Sequence, residues 1–376
     1  MSLWFTASAV APQLRELWRL SAAQTGWLTT VVQLGFVAGT AAAATLNLAD
    51  VLPLRRYFAV SALLGAAANA LLVIVPGYGA ALVLRFATGF FLAGVYPPAM
   101  KMIATWFRAG RGLAIGVLVG ALTVGKATPY LLHAFEAVSL SGVVLTASAG
   151  ALLGAAAVAL AYRDGPFAFD RRPFSWGLVA TVLRHQPTRL AIFGYLGHMW
   201  ELYAMWALVA VFFHQVAAAH SDLVSRATLI SGIASFLVIA AGGAGAIWAG
   251  RLADRVGRER VTIWMMAISG SCALVFGWLA ATPLPLLFAL GLLWGFTVVA
   301  DSAQFSAVVT EVAPPHAVGT ALTLQTSLGF ALTAVSIWLA VEVSSRVGWG
   351  PAFSLLAVGP ALGIVAMLRL RRVRKG

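Results

Sequence analysis

The sequence predicts an all-α membrane protein of two pseudo-symmetric six-helix bundles, about twelve transmembrane helices in all, with the first one truncated. Of its 376 residues, 61% are hydrophobic and only 10% are charged, against roughly 25% charged residues in an ordinary soluble domain. Eleven apolar stretches, the first beginning at Thr25 and the last ending at Leu370, are long enough to cross a bilayer. This composition excludes a soluble enzyme.

The first helix is incomplete by this reading. Before Thr25 lies an apolar stub, Met1–Ala11, which Pro12 ends. At about 1.5 Å of rise per residue the stub is too short to cross a bilayer. We expect Met1 to be an internal methionine or a misassigned start; a naturally short first helix is the alternative.

A duplicated pattern accounts for the two bundles. The same charged loop occurs twice, and Asp50 and Asp254 within it lie 204 positions apart. The same offset relates Gly39 to Gly243. Internal repeats of this kind are the mark of many transporter folds. We therefore predict an N-terminal bundle over residues 1–162, a cytoplasmic linker over 163–188 and a C-terminal bundle over 189–376.

The net charge of +13 follows from membrane topology rather than from nucleic-acid binding. The basic residues concentrate in loops on one side of the predicted spans, as the positive-inside rule expects. We predict a multi-pass protein of the plasma (inner) membrane with both termini cytoplasmic in a complete chain, and no nucleic-acid partner. The single cysteine, Cys272, excludes a disulfide framework or a paired-cysteine metal site.

The charged loops can act as conformational latches, since Gly257 permits a tight turn and the arginines can cap helix ends. The latch residues we predict are Asp50, Arg55, Arg56, Gly250, Asp254, Arg255, Gly257 and Arg258. The ordered spacing of Gly250–Arg260 closely resembles the loop signature of the major facilitator superfamily. The first copy is degraded, because Leu46, Pro53 and Leu54 replace expected residues, so we expect a weaker N-terminal latch.

A second pattern resembles the same superfamily. It begins with Arg85 and Gly89 and continues through Pro97-Pro98, Trp106-Phe107 and Arg111-Gly112. The resemblance implies secondary transport by alternating access, with substrate bound between the bundles. The antiporter signature of the fifth span and the arginines of nitrate porters are missing, which disfavours drug/proton antiport and nitrate transport.

Five charges lie within predicted spans: Arg85, Lys101, Lys126, Glu201 and Asp301. Each costs about 2.5–3.5 kcal/mol at the centre of a membrane helix, so each should face the protein interior and meet a partner or a ligand. Lys126 belongs to the first half and both carboxylates to the second. We therefore expect a cationic wall facing an acidic one across a central pocket.

Helical spacing assembles the candidate site. The predicted substrate-binding residues are Gln33, Tyr96, Lys101, Lys126, Tyr130, His198, Glu201, Asp301, Gln304 and Gln325. Lys126 either holds an anionic group of the substrate or pairs with Glu201 or Asp301. Those two carboxylates either carry a coupling proton, with His198 as a relay for Glu201, or form static pairs. Arg85 is assigned a structural role, and Lys101 either contacts ligand or extends to the membrane surface.

Two further groups are assigned to packing and anchoring. Gly35 with Gly39, and Gly116 with Gly120, follow the spacing that lets membrane helices approach closely. Four tryptophans near span ends are expected to anchor the protein at the membrane interface, namely Trp4, Trp27, Trp278 and Trp349.

The predicted function is proton-coupled secondary transport of a small organic or inorganic anion. The first alternative is a transporter of cationic or zwitterionic compounds, bound by the carboxylates. The second is a non-transporting membrane receptor of the same architecture. The sequence has no hydrolase, P-loop or dinucleotide signature at the required places, so we expect no enzyme activity, no cofactor and no metal. The expected partners are a small-molecule substrate and the lipid bilayer, and we expect a monomer.

Overall fold

The computed structural model describes residues 1–46, 48–107, 111–134, 139–167 and 175–374. Within these ranges the regular structure is helical, with eighteen α-helices and five short 3-10 turns. The α-helices are α1 (Thr6–Ala9), α2 (Ala11–Trp18), α3 (Ala22–Thr45), α4 (Leu48–Val51), α5 (Leu54–Ala70), α6 (Tyr78–Leu92), α7 (Tyr96–Ala104), α8 (Arg111–Ala134), α9 (Leu140–Ala161), α10 (Trp176–Arg184), α11 (Gln186–Ala218), α12 (Ala227–Val256), α13 (Arg258–Phe276), α14 (Leu284–Ala300), α15 (Ser302–Val312), α16 (Val318–Arg346), α17 (Trp349–Leu356) and α18 (Val358–Val373).

Eleven helical segments of the described chain are long and apolar enough to cross a membrane, from Ala23–Thr45 to Trp349–Val373. This confirms the number of full spans expected from the sequence. Three of them are each built from two α-helices, the pairs α6–α7, α14–α15 and α17–α18. The stretch before α3 contains the 3-10 turn Ser2–Phe5, α1 and α2.

The breaks within three spans have different sequence causes. Pro97 and Pro98 lie in the first turn of α7, and Pro360 lies in the first turn of α18. Proline has no backbone N–H to donate and is tolerated best in the first turn of a helix. Between α14 and α15 the break falls at Asp301, a buried charged residue.

Close glycine contacts hold the helices of each half together. In the first half, Gly35 and Gly39 of α3 lie against the backbone of Phe86 and Phe90 on α6. In the second half, Gly245 of α12 lies against the backbone of Phe296 on α14. A side chain at any of these positions would collide with backbone atoms, so the packing role predicted for Gly35 and Gly39 matches the observed contact.

The two halves meet along two helix pairs. At the first, Gly116 and Gly120 of α8 approach Ala246 and Gly243 of α12 so closely that a Cβ on Gly120 would lie 3.1 Å from the carbonyl oxygen of Gly243. At the second, α3 lies along α16, with the Thr40 hydroxyl 3.3 Å from that of Ser327. The predicted limits of the bundles and linker stay a prediction. We call the membrane face that carries α10 and the ends of α12 and α18 the linker side.

Candidate substrate site between the helix bundles

A small cavity of about 30 Å³ lies between the two halves. The sequence predicts a polar pocket at this interface, and of its ten predicted binding residues Tyr96 lines this cavity. The first half contributes α7 and α8, and the second half contributes α11, α14, α15 and α16. The wall is apolar and aromatic, with hydroxyl groups from tyrosines, Thr123 and Ser302. The lining residues are Tyr96, Val119, Leu122, Thr123, Tyr195, Met199, Leu202, Tyr203, Trp206, Val299, Ser302 and Phe330.

Two helix breaks border this cavity. Tyr96 is the first residue of α7, and Val299 and Ser302 flank the break at Asp301. Broken helices often form the substrate and ion sites of transporters, because irregular backbone at membrane depth is tolerated where it lines a cavity. The cavity wall is therefore built partly from the ends of interrupted helices.

The Nζ atom of Lys126 lies just behind the cavity wall, in what we call the aromatic box. Four rings surround it, with centroids 4.2 Å away for Trp4 and Tyr203, 5.2 Å for Trp206 and 5.9 Å for Phe330. Nζ also donates a hydrogen bond to the Tyr203 hydroxyl. All of these partners are neutral. Each ring attracts a cation through its quadrupole, and the lysine side chain is only 1% exposed.

Local sequence explains how the box forms. Tyr203 and Trp206 are three residues apart on α11 and so share a helix face. Phe330 comes from α16 and is backed by Phe36 of α3, with ring centroids 4.3 Å apart. Trp4 enters from the 3-10 turn Ser2–Phe5 and is fully buried. The expectation that Trp4 anchors the chain at the membrane interface is therefore wrong.

Tyr130 closes the box on the side away from the linker. Its hydroxyl donates a 2.9 Å hydrogen bond to the backbone carbonyl of Trp206 and so joins α8 to α11. Phe5 packs beside both Tyr130 and Trp206, with ring centroids 6.2 and 6.0 Å apart. Tyr130 thus contacts the box rather than the cavity.

Arg85 is bound entirely within the first half. Its guanidinium donates hydrogen bonds to the carbonyl oxygens of Leu28 (3.3 Å), Leu3 (2.9 Å) and Trp4, and to Oδ1 of Asn69 (3.1 Å). The side chain is fully buried. This geometry fits the structural role predicted for Arg85, and it fixes the backbone that carries the Trp4 ring.

The carboxylates do not face Lys126, which corrects the expected pairing of opposite charges. Glu201 accepts hydrogen bonds of 2.8 Å from the Ser269 hydroxyl and 2.7 Å from the Trp294 indole. One oxygen of Asp301 lies 2.8 Å from Nδ1 of His198. Both carboxylates are buried among helices of the second half. We call His198, Glu201 and Asp301 the carboxylate cluster.

The orientation of α11 about its own axis keeps the carboxylates away from Lys126. Its cavity face carries Tyr195, Met199 and Tyr203, whereas Gly194, on the stripe that also carries His198 and Glu201, lies against Met367 and Phe305. His198 and Glu201 are each 1% exposed, so this stripe is a buried face of α11. That face points into the second half and not into the cavity.

The three predicted glutamines lie in three places. Gln33 is fully buried on α3, and neither of its amide atoms has a hydrogen-bond partner within the part of the chain that the structure describes. The Gln325 amide nitrogen donates a 3.4 Å hydrogen bond to Ser306. Gln304 accepts a 2.7 Å hydrogen bond from Arg258, away from the cavity. Lys101 lies on α7 and is partly exposed.

The second loop copy forms a charge cluster at the linker side. Arg258 lies 3.3 Å from Asp254, hydrogen-bonds to Glu311 at 2.7 Å, and also binds Gln304. Arg374, from the end of α18, contacts Glu259 and Glu311. Gly257 makes the turn between α12 and α13 with a positive φ of 93°. These contacts join α12, α13, α15 and α18, which all belong to the second half.

The remaining latch residues contribute less to this cluster. Gly250 is buried within α12, and Arg255 is exposed. Arg55 and Arg56 are exposed at the start of α5. The side chain of Asp50 lies outside the described residues.

Comparisons with known proteins agree with this architecture. The sequence model of the Major Facilitator Superfamily matches residues 1–225 and 203–376. The chain belongs to the Major Facilitator Superfamily. A solved structure with a similar fold is the crystal structure of a bacterial homologue of the human lysosomal transporter Spinster, in an inward-facing and unoccupied conformation. It has a TM-score of 0.67 and 14% sequence identity, and the match covers 98% of this chain and 92% of that one.

Comparison with curated proteins gives no match. At 14% identity the structural likeness shows the fold alone. Family membership makes the chain a secondary transporter rather than an enzyme, with a small molecule as its substrate and a bilayer as its surroundings.

The sequence analysis did not find the aromatic box. Tyr203 and Trp206 share a helix face with the cavity-lining residues of α11, and this spacing is the one signal that could have indicated them. Trp4 and Phe330 come from distant parts of the sequence. Ser269 and Trp294, which hold Glu201, were also missed, because a hydroxyl and an indole within apolar spans give no distinctive pattern.

Proposed function

We propose that this protein transports small organic anions and that Lys126 receives the anionic group. The observation that carries the proposal is the aromatic box. Lys126 is 1% exposed and lies between the bundles, and the hydrogen bond and ring contacts that the described residues make with its Nζ come from neutral groups. A carboxylate or phosphate entering the neighbouring cavity would supply the missing opposite charge.

The energetics favour this assignment. Taking a charge out of water is expensive unless a partner compensates it. Cation–π contacts contribute only about 0.5–2 kcal/mol each, so rings and one hydroxyl leave most of the loss of hydration uncompensated. An anion therefore gains more at this position than it would beside a lysine already paired with a carboxylate.

The cavity wall indicates the rest of the substrate. Aromatic and aliphatic side chains make up most of it, with hydroxyls at Thr123 and Ser302. We expect an organic body with few polar groups behind the anionic end. At about 30 Å³ the cavity is too small for such a molecule, so binding must widen it. The breaks at Tyr96 and Asp301 supply the movable segments.

We further propose that protons drive the transport through the carboxylate cluster. Asp301 lies at the break between α14 and α15, and its neighbour Ser302 lines the cavity. Widening the cavity would shift this break and change the 2.8 Å contact between Asp301 and His198. Glu201 is the second proton site. Intramembrane carboxylates of this kind serve as proton carriers in many transporters.

Flux across a sealed bilayer tests the proposal. The purified protein is placed in liposomes, and uptake of radiolabelled phenyl phosphate, an organic anion that does not cross the bilayer unaided, is measured with and without an imposed pH gradient. We expect uptake by the wild type, and strongly reduced uptake by Lys126→Met. Arg163→Met, at an exposed cation beside α9, serves as the control and should keep wild-type uptake. Binding without flux would instead support a receptor, and equal uptake by Lys126→Met would remove Lys126 from the site.

The aromatic box also favours one other function, the transport of organic cations. Rings around an ammonium group are a common way to recognise quaternary amines, and Lys126 would then occupy the place of the substrate's own cation. In liposomes this alternative predicts that the wild type takes up radiolabelled choline. Excess unlabelled choline should inhibit this uptake, and benzoate should not.

The orientation and the latch are proposals of the same kind. We propose that the linker side faces the cytoplasm at the inner membrane, which the distribution of basic residues among the loops supports, and that the protein is a monomer there. We propose that the Asp254, Arg258 and Glu311 contacts hold the linker-side ends of the second half as one rigid unit during transport.

A further inference from the structure

A second, larger depression lies on the outer surface of the C-terminal half, away from the central cavity. It has a volume of about 500 Å³ and runs between α11 and α18, with α16 at its base. Phe193, Leu196 and Trp200 of α11 form one wall, and Leu362 and Val365 of α18 form the other. Arg369 lies at one end. We call this depression the α11–α18 groove.

Glycines create the groove. Gly197 of α11 and Gly359 of α18 touch through their backbones, so neither helix places a side chain in the crease between them. The residues on the two rims stand out from the surface, since Phe193 is 50% exposed and Leu362 is 64% exposed. Both rims face the membrane. The crease is therefore a channel of apolar atoms open to lipid.

The length of the groove matches one leaflet of a bilayer. On α18 it extends from Val358 to Arg369, which at about 1.5 Å per residue is roughly 16 Å. Half of a hydrocarbon core of about 30 Å is roughly 15 Å. Since α18 ends at the linker side, Arg369 lies at the headgroup level of the linker-side leaflet and Val358 near the bilayer centre.

The mouth of the groove is basic. Arg369 is exposed there, and exposed Arg189 stands at the start of α11, held by a 3.2 Å hydrogen bond to the carbonyl of Leu183. Residues 358–376 contain four arginines, one lysine and no aspartate or glutamate. Basic clusters beside a membrane span attract anionic lipid headgroups.

We propose that the α11–α18 groove binds one phospholipid of the linker-side leaflet. Its acyl chain lies in the crease beside Gly197 and Gly359, and its anionic headgroup contacts Arg369. The same helix α11 carries Tyr195 and Tyr203, which line the central cavity. A lipid seated here therefore stabilises the helix pair that supports the transport site. This inference is independent of the substrate.

Lipid titrations of the purified protein in detergent test this inference. Phosphatidylglycerol and phosphatidylcholine with identical acyl chains are added, and bound lipid is counted by native mass spectrometry while thermal unfolding is followed. We expect one tightly held phosphatidylglycerol per chain and a rise in melting temperature. Phosphatidylcholine should bind roughly five-fold more weakly, the factor expected for one arginine near an anionic headgroup.

Two variants test the lipid headgroup contact and the acyl-chain contact separately. Arg369→Gln should bind phosphatidylglycerol roughly five-fold more weakly, to the level of phosphatidylcholine, and Arg369→Lys should restore most of the binding. Leu362→Trp should fill the crease and abolish the binding of both lipids. Both positions are exposed, so folding is not at risk. Arg163→Gln and Leu153→Trp, at exposed positions on or beside α9, are the matched controls.

The proposal is overturned if both groove variants bind phosphatidylglycerol like their controls, or if the two lipids bind equally to the wild type. A dimer that light scattering detects in the wild type and that Leu362→Trp dissociates would also overturn it, because a second copy would then occupy the groove.

Discussion

Arg85 and Lys126 are two buried cations of the same half, and their surroundings differ sharply. Arg85 has four hydrogen bonds to oxygen atoms, three of them backbone carbonyls. Lys126 has one hydroxyl and four ring faces. A cation with four of its five N–H donors bonded to oxygen atoms stabilises the fold, whereas a cation with weak neutral partners remains available to an anion. The difference separates a structural charge from a candidate binding charge.

The largest effect is expected on stability, when Arg85 is replaced. Arg85→Ala should lower the free energy of unfolding by about 3 kcal/mol or more, because four buried acceptors lose their donor and each unsatisfied group costs about 1–3 kcal/mol. Thermal unfolding in detergent measures this loss. Arg56→Ala, at an exposed arginine of α5, is the control and should change little. An unchanged melting temperature for Arg85→Ala would show that Arg85 is not a structural charge.

The second prediction concerns Lys126→Met. Transport of organic anions should fall at least about ten-fold, equivalent to roughly 1.4 kcal/mol of lost interaction. Stability should stay the same or rise, since replacing a poorly compensated buried charge by an apolar chain of similar volume is often neutral or stabilising. A loss of transport without a loss of stability would show that Lys126, unlike Arg85, serves binding rather than folding. Destabilisation comparable to that of Arg85→Ala would place both in one structural class.

The membrane spans and the glycine contacts could be predicted because they depend on residues that are close together in the sequence. The eleven spans follow from apolar length, and Gly35 and Gly39 follow from a spacing that lets backbones touch. Lys126, Glu201 and Asp301 were correctly expected to be buried, because lipid tolerates none of them.

The partners of those charges could not be predicted, because they depend on helix rotation and on residues far apart in the sequence. His198 and Tyr195 are three positions apart on α11, yet one meets Asp301 and the other lines the cavity. Trp4 reaches Lys126 from the turn Ser2–Phe5, whose backbone carbonyls at Leu3 and Trp4 accept hydrogen bonds from Arg85. The rings of the aromatic box also carry no opposite charge, so no charge pattern in the sequence marks them as partners of Lys126.

The third prediction concerns coupling. In the carboxylate cluster, Glu201→Gln and Asp301→Asn keep nearly the same shape but cannot carry a proton as a carboxyl group does. We expect both variants to exchange substrate across liposomes at near wild-type rates while losing accumulation driven by a pH gradient. Exchange and accumulation are measured in the same vesicles. Accumulation that persists in both variants would show that the cluster is static, like the Arg85 site.

The smallest effect is expected at Gln33, a buried side chain of α3 whose amide atoms have no hydrogen-bond partner among the residues described. Gln33→Met should raise the free energy of unfolding by about 1 kcal/mol, since it removes an unsatisfied polar group at similar volume. Gln325→Met, which loses the contact with Ser306, is the matched comparison and should not stabilise. If Gln33→Met lowers the melting temperature, Gln33 has a partner of its own in the folded protein.

The most direct test of the central claim, that Lys126 receives an anion, is a thermal-shift titration with three ligands of the same shape. Benzoate, benzamide and benzylamine differ mainly in charge at one end. We predict that, of the three ligands, benzoate alone stabilises the wild type, that the shift grows with the logarithm of its concentration above Kd, and that Lys126→Met abolishes the shift without unfolding. An equal benzoate shift in Lys126→Met, or stabilisation of the wild type by benzylamine instead, would contradict the account.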